Sequence, residues 1–208
     1  MTAAAALSQI EVDALREVTN VGAGHAATAL AKITNVPVTI DVPRVSIGPL
    51  ATVVSRFAGQ GDRIAALSME IQGDLSGRTV LLMREDEATF LCERLLQREA
   101  GSGTTLAGEL ERSCLQETGN ILASSFLNAL ADWVGKRVLP SVPVLAIDDG
   151  ARVASDAAIT GGEDPVLVVE TSLIYAGADL TPERLSGLFL YLLDRPSLDV
   201  VLGVLGVS

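Results

Sequence analysis

Apolar residues recur at helical spacing from Ile10 to about Thr34, with Leu15, Val18, Gly22, Ala26 and Ile33 down one side. Small residues crowd this segment (Gly22, Ala23, Gly24, Ala26, Ala27) and would let another element approach its backbone closely. A β-rich stretch begins near Val36-Pro37-Val38 and alternates through Val42–Ile47. Two strands, Arg63–Ile71 and Gly77–Met83, are predicted on either side of a turn at Gly73-Asp74. A helix over Glu85–Arg98 then closes the first half. A polar run from Glu99 to Thr105 reads as a flexible linker. The pattern starts again with a helix from about Leu106 to Trp133 and ends in one from Pro196 to about Leu205.

The second pass repeats the first. Residues 10–47 and 110–147 align without a gap, and twelve of these thirty-eight positions are identical. Others are swaps of similar type, such as Ile10/Leu110 and Val21/Ile121. Leu75-Ser76-Gly77 matches Leu185-Ser186-Gly187, so the offset grows from 100 to 110. The ten added residues are expected near Tyr175–Pro182, where Gly177, Asp179 and Pro182 read as a longer hairpin loop. The expected fold is therefore α+β. It is a tandem helix–strands–helix unit with pseudo-two-fold symmetry, an antiparallel-rich sheet and two exposed first helices. One domain is predicted, made of repeats at about 8–98 and 106–206 joined by linker 99–105.

Composition narrows the function. Lys and Arg number 15 against 26 Asp and Glu, so the net charge is 15 − 26 = −11. That charge disfavours nucleic acid and anionic membrane surfaces. Mean hydropathy is positive at +0.40, yet the longest apolar runs, Leu188–Leu193 and Val200–Val207, fall far short of the roughly 20 residues of a span. The start, MTAAAALSQIEVD, lacks the basic region of a signal peptide, so a cytoplasmic location is expected. Two cysteines, Cys92 and Cys114, lack metal-ligand spacing and read as buried thiols. His25 is the single histidine and its counterpart is Ser125, which argues against a required role.

Three polar identities survive the duplication: Glu11/Glu111, Glu17/Glu117 and Asn20/Asn120. The first suits a helix N-terminus electrostatically. Glu and Asn three residues apart share a helix face, which Asp13 or Ser113 joins, while Leu15 and Leu115 lie opposite. A Glu and an Asn on a solvated face need no function, and Asn20 could end a short helix before Gly22. Keeping the pair twice is harder to explain that way, because Asn costs a helix interior up to ~0.7 kcal/mol relative to Ala. An amide accepts and donates hydrogen bonds without titrating, so it can aim a water without acting as a strong base.

Asp13-x3-Glu17-x2-Asn20-x22-Pro43 and Ser113-x3-Glu117-x2-Asn120-x22-Pro143 resemble the signature of the CheC-type chemotaxis phosphatases. The resemblance covers the whole chain, including its duplication. It implies an aspartyl-phosphate phosphatase acting on the response regulator CheY, with Asn20 and Asn120 orienting the attacking water and Glu17 and Glu117 gripping the regulator's lysine. Pro43 and Pro143 more plausibly shape a strand edge or turn. No cofactor or metal of its own is implied, Mg²⁺ being expected in the regulator. The implied partners are phosphorylated CheY and the deamidase CheD, with the chain itself a monomer. Two motifs in one chain fit the CheC branch better than CheX-like members, and the chain ends without a FliY-like switch domain. Two alternatives stand beside the enzyme: a binding module for CheD or phosphorylated CheY, and a structural protein like the flagellar-switch FliM. The Asp13/Ser113 difference favours Glu117/Asn120 as the faster site, since Asp13 adds charge where an acidic partner docks. Trp133, opposite Ile33, reads as core.

Overall fold

The computed structural model describes residues 8–34, 37–41, 44–57, 61–99, 101–102, 104–150, 152–153, 165–176 and 182–204. The first half runs α1 (Gln9–Thr34), β1 (Val38–Ile40), β2 (Arg44–Pro49), α2 (Leu50–Phe57), β3 (Arg63–Gly73), β4 (Gly77–Arg84) and α3 (Glu85–Leu95). The second runs α4 (Glu109–Val134), β5 (Val138–Pro140), β6 (Val144–Asp149), β7 (Pro165–Ala176), β8 (Pro182–Leu193) and α5 (Arg195–Val204). All strands join one antiparallel sheet in the order β1-β7-β8-β4-β3-β5, with β2 on β7 and β6 on β3. The fold is α+β.

The register displays the duplication. At the sheet centre β4 pairs with β8, Gly77 opposite Leu193 and Met83 opposite Gly187. Val80 therefore faces Leu190, its own counterpart at an offset of 110, and a pseudo-two-fold axis passes between them. The first hairpin's last pair is Ile71↔Gly77, and its counterpart Thr171↔Gly187 is also paired. From there β7 and β8 continue through five more pairs to Ala176↔Pro182. Five pairs account for all ten added residues, and five residues separate the final pair in both hairpins. The insertion lengthens the ladder, not the loop as expected from sequence; Gly177 and Asp179 lie outside the described residues.

Why the helices lie where they do follows from side-chain size. The larger core, on one sheet face, joins Leu15, Val18, Ala26 and Leu30 of α1 to Leu115, Leu122, Phe126 and Leu130 of α4 and to inward β residues such as Leu67, Met69 and Phe189. Gly22 is what lets α1 and α4 touch: a Cβ there would stand 2.6 Å from the Phe126 ring and 2.9 Å from its Cα. Gly22 lies against Phe126, while the earlier Leu15, Val18 and Thr19 share an apolar cavity with Phe126 and the later Leu130. Early residues of one helix thus face late residues of the other, so the two run antiparallel, as the axis requires. Phe126 stacks on Phe189 at 5.2 Å, with Tyr191 edge-on at 6.2 Å. A smaller core on the other sheet face holds Val53 and Val54 of α2 against Ile64, Leu82 and Leu188.

Several expectations need correction. Helix α2 was not anticipated, although Leu50, Val53, Val54 and Phe57 carry helical spacing. Helix α4 starts at Glu109 rather than near Leu106, because Gly108 is its N-cap; a Cβ there would collide with the Glu111 carboxylate. Trp133 is 36% exposed and Ile33 more so, since Leu130 and Val134 take the inward side of the last turn. Cys92 is buried, whereas Cys114 is only half-buried.

The linker is pinned. Glu93 accepts hydrogen bonds from the Gly101 backbone N–H (2.9 Å) and the Ser102 hydroxyl (3.2 Å), and Arg98 reaches both Thr104 and Glu111. Burial pushes the Glu93 carboxyl up, but those hydrogen bonds outweigh it and hold the group below the ordinary range.

Candidate functional site

Both first helices run unbroken for 26 residues. Asn20 therefore lies mid-helix and does not terminate a segment before Gly22. Each helix turns Leu15 or Leu115 into the core and its Glu outward; Glu17 and Glu117 are both exposed. Asn20 is exposed as well, and Asn120 is half-buried. Around the axis Glu, Asn and position 13 or 113 fall within about 60° of one another. The structure thus brings Asp13, Glu17 and Asn20 to one outward strip, and Ser113, Glu117 and Asn120 to another.

The N-termini explain the third identity. Ser8 and Glu11 form a capping box: the Ser8 backbone N–H donates to Glu11 Oε2 and the Glu11 N–H to Ser8 Oγ (3.3 Å). Glu111 does something else. It is largely buried and takes a charge-assisted hydrogen bond of 2.5 Å from Arg98. That guanidinium holds the Glu111 carboxyl below the ordinary carboxylate range. The two glutamates therefore order their helices by different routes, one local and one through the linker.

At the first motif position the halves also differ. Asp13 pairs with Arg16 at 3.1 Å and accepts a further bond from Gln9 Nε2 at 3.0 Å. Its charge is partly compensated on its own helix. Ser113 is exposed and makes no hydrogen bond to Glu117. Instead, the hydroxyl of Ser124 lies 3.5 Å from Asn120 Oδ1, at the long limit of a hydrogen bond. Gly24 occupies the matching place on α1 and offers no side chain.

Sequence reasoning missed what steadies the second strip. Arg112 donates to the Leu145 carbonyl (3.1 Å), and Gln116 Nε2 to the Pro143 carbonyl (2.9 Å). One carbonyl lies in β6 and the other just before it, so these side chains tie α4 to the β6 segment. Pro143 is buried, and its carbonyl accepts the Gln116 bond. Pro43 lies outside the described residues. Val12 and Arg16 stand at the positions of Arg112 and Gln116, and Arg16 turns to Asp13 instead. His25 is exposed and off the strip.

Among the described residues no group of three or more His, Cys, Asp or Glu could hold a metal ion, and no helix is long and apolar enough to cross a membrane. Each site thus offers a carboxylate, an amide and open solvent. That set can bind a cation on a partner and position a water; it lacks a strong base or a nucleophile of its own.

Comparison with known proteins fits this layout. The profile of the CheC-like family matches residues 2–47 and 110–147, one segment per half. CheY-P phosphatase CheC of Bacillus subtilis (strain 168) is 31% identical over 170 residues, covering 80% of this chain and 81% of the relative. Among solved structures, Thermotoga maritima FliY superposes with a TM-score of 0.78 at 21% identity, over 96% of this chain and 98% of that one. The middle domain of FliM from H. pylori shares the fold at 0.61 and 13% identity, over 97% of this chain and 100% of its own. The duplicated architecture, the paired strips and the relationship to the Bacillus protein agree: the chain belongs to the CheC-like family.

Proposed function

We propose that this protein is a phosphatase for the phosphoaspartate of a CheY-type response regulator. The observation that carries the reading is that both helices turn a glutamate and an asparagine outward at the same place, although twenty-six of the thirty-eight aligned positions have changed. The Bacillus relative, named for CheY-P hydrolysis, supports it.

In this reading the regulator's acyl phosphate meets the outward strip. Glu17 or Glu117 pairs with a lysine ammonium beside the phosphoryl group and fixes the docking register. Asn20 or Asn120 accepts a hydrogen bond from a water through its carbonyl oxygen and holds it in line with the phosphorus. The water oxygen bonds to phosphorus and the phosphorus–oxygen bond to the aspartyl carboxyl breaks. The carboxylate leaves with the electron pair, and the water's protons end on the released dihydrogen phosphate. Positioning supplies the acceleration, which suits phosphoryl transfer, where little covalent chemistry is asked of the protein.

The test is phosphate release from phosphorylated CheY in the presence and absence of the protein. Acceleration at substoichiometric protein is expected. Binding without acceleration would make the chain a sequestering module, and neither binding nor acceleration would overturn the reading altogether.

A further inference from the structure

We infer that Ile10 and Val21 on α1, and Leu110 and Ile121 on α4, are apolar anchors that seat the regulator on the two strips. The inference rests on the function proposed above and names the residues that hold the substrate in place. Ile10 is 69% exposed, Leu110 55% and Val21 49%; Ile121 is half-buried against the core. One exposed aliphatic residue needs no explanation. Three of them, with the half-buried Ile121 completing the match between two diverged halves, do.

Their placement is specific. Seven residues turn a helix by 700°, so Ile10 lies about 20° from Glu17 and two turns before it. Val21 follows Glu17 by four residues and lies about 40° round on the same side as Ile10, with Asn20 about 60° round on the other. Each Glu–Asn pair is thus flanked on its glutamate side by two aliphatic side chains, one before the pair and one after it along the axis, and a protein docked over the strip would cover them. Val12, two residues on from Ile10 and off this flank, became Arg112.

The charge balance requires such anchors. The α1 strip carries Asp13 and Glu17 and the α4 strip Glu117, on a chain of net charge −11. A phosphorylated carboxyl site is itself anionic, so apart from one lysine contact the two surfaces repel. Burial of apolar surface is indifferent to that repulsion and supplies the association. The occupant is the acidic regulator of the proposed function, held against that repulsion by apolar contact and one lysine pair.

The experiment isolates one strip at a time. In an Asn120→Ala background, where only α1 works, Ile10→Ser with Val21→Ser should raise the half-saturating concentration of phosphorylated CheY about tenfold, with the maximal rate changed less than about twofold. The same two substitutions in an Asn20→Ala background, where only α4 works, should change neither, and Leu110→Ser should there reproduce the weakening. Melting temperatures should stay constant, because the altered side chains are exposed. Unchanged half-saturation, or equal weakening in both backgrounds, would overturn the inference. If neither parent releases phosphate, the functional reading fails first. Titration with beryllofluoride-treated CheY then decides the anchors alone: binding lost when Ile10→Ser, Val21→Ser and Leu110→Ser are combined upholds them, and binding unaffected refutes them. Loss of self-association with regulator binding intact would assign the strips to a second copy and refute them too.

Discussion

The two motif helices share their length, their outward pair and their place over the sheet, yet they are held differently. Helix α1 is ordered by its own neighbours: the Ser8–Glu11 box and the Asp13–Arg16 pair, all within one turn. Helix α4 is fastened by distant partners, Arg98 to Glu111, Arg112 to Leu145 and Gln116 to Pro143. Local pairs on a solvated helix contribute a few tenths of a kcal/mol each, whereas bonds to sheet and linker fix the helix relative to the core. The lesson is that a duplicated site can keep its reacting groups while its mounting diverges, leaving one copy more firmly aimed.

The largest expected effect tests what the two halves share. Asn20→Ala combined with Asn120→Ala should lower phosphate release more than tenfold, about 1.4 kcal/mol of barrier or more, while regulator binding largely persists. Retention of more than about a tenth of the rate would show that the amides do not aim the water. Glu17→Ala with Glu117→Ala should weaken binding as well as turnover, because it removes the lysine contact.

A second prediction separates the inner and outer sides of α1. Gly22→Ala forces a methyl against the Phe126 backbone, which cannot rotate away, and should cost about 1–3 kcal/mol in denaturant unfolding. Gly24→Ala, with nothing within 4 Å of the new carbon, should instead stabilise by up to ~1 kcal/mol through helix propensity. Equal effects would mean that the close approach of α1 to α4 is not a determinant of stability.

A third prediction addresses the mounting of α4. The Glu111 carboxyl titrates below its ordinary range in the folded chain because Arg98 bonds it. Its stabilising contribution is therefore present above the unfolded value of about 4.3 and is lost as pH falls through the folded value. Thermal melts between pH 6 and pH 3 should fall less steeply for Glu111→Gln than for the natural chain. Arg98 is partly exposed, so the effect on melting temperature at neutral pH should be modest. An unchanged acid slope would remove this ion pair from the account.

Much of this architecture was legible before any coordinates. The ungapped repeat carried the two first helices, the hairpins and the outward strips, because helical spacing and a 100-residue identity pattern are local signals. Three things were not. Helix α2 is eight residues long, and its apolar spacing is too brief to be told from loop. The ten-residue insertion was placed correctly and misassigned to a loop, since the lengthened end of β7 pairs on its other side with β1, far earlier in the chain. The ties from Arg98, Arg112 and Gln116 join residues 13 to 33 positions apart, and no periodicity encodes such contacts. Ser124 beside Asn120 could have been found, for an i,i+4 polar pair on a helix is a readable signal.

The smallest effect is the ranking of the two sites. Sequence alone favours the α4 site because Asp13 places an extra charge beside Glu17 where Ser113 adds none. The structure weakens that charge argument and supplies another. Arg16 at 3.1 Å compensates Asp13 in part, so repulsion of an acidic partner differs less between the strips than the formal charges suggest. Meanwhile Asn120 is half-buried with the Ser124 hydroxyl near its carbonyl, whereas Asn20 is exposed beside Gly24. A side chain with fewer accessible rotamers loses less entropy when it fixes the water. Asn120→Ala should therefore cost more phosphate release than Asn20→Ala, by roughly threefold, or ~0.6 kcal/mol. Because the cause is mainly rotameric, the ratio should change little between low and physiological ionic strength; a purely electrostatic cause would make it collapse with salt. Ser124→Gly should bring the two sites closer together. A larger loss from Asn20→Ala at both salt concentrations would show that the firmer mounting of α4 does not make it the faster site.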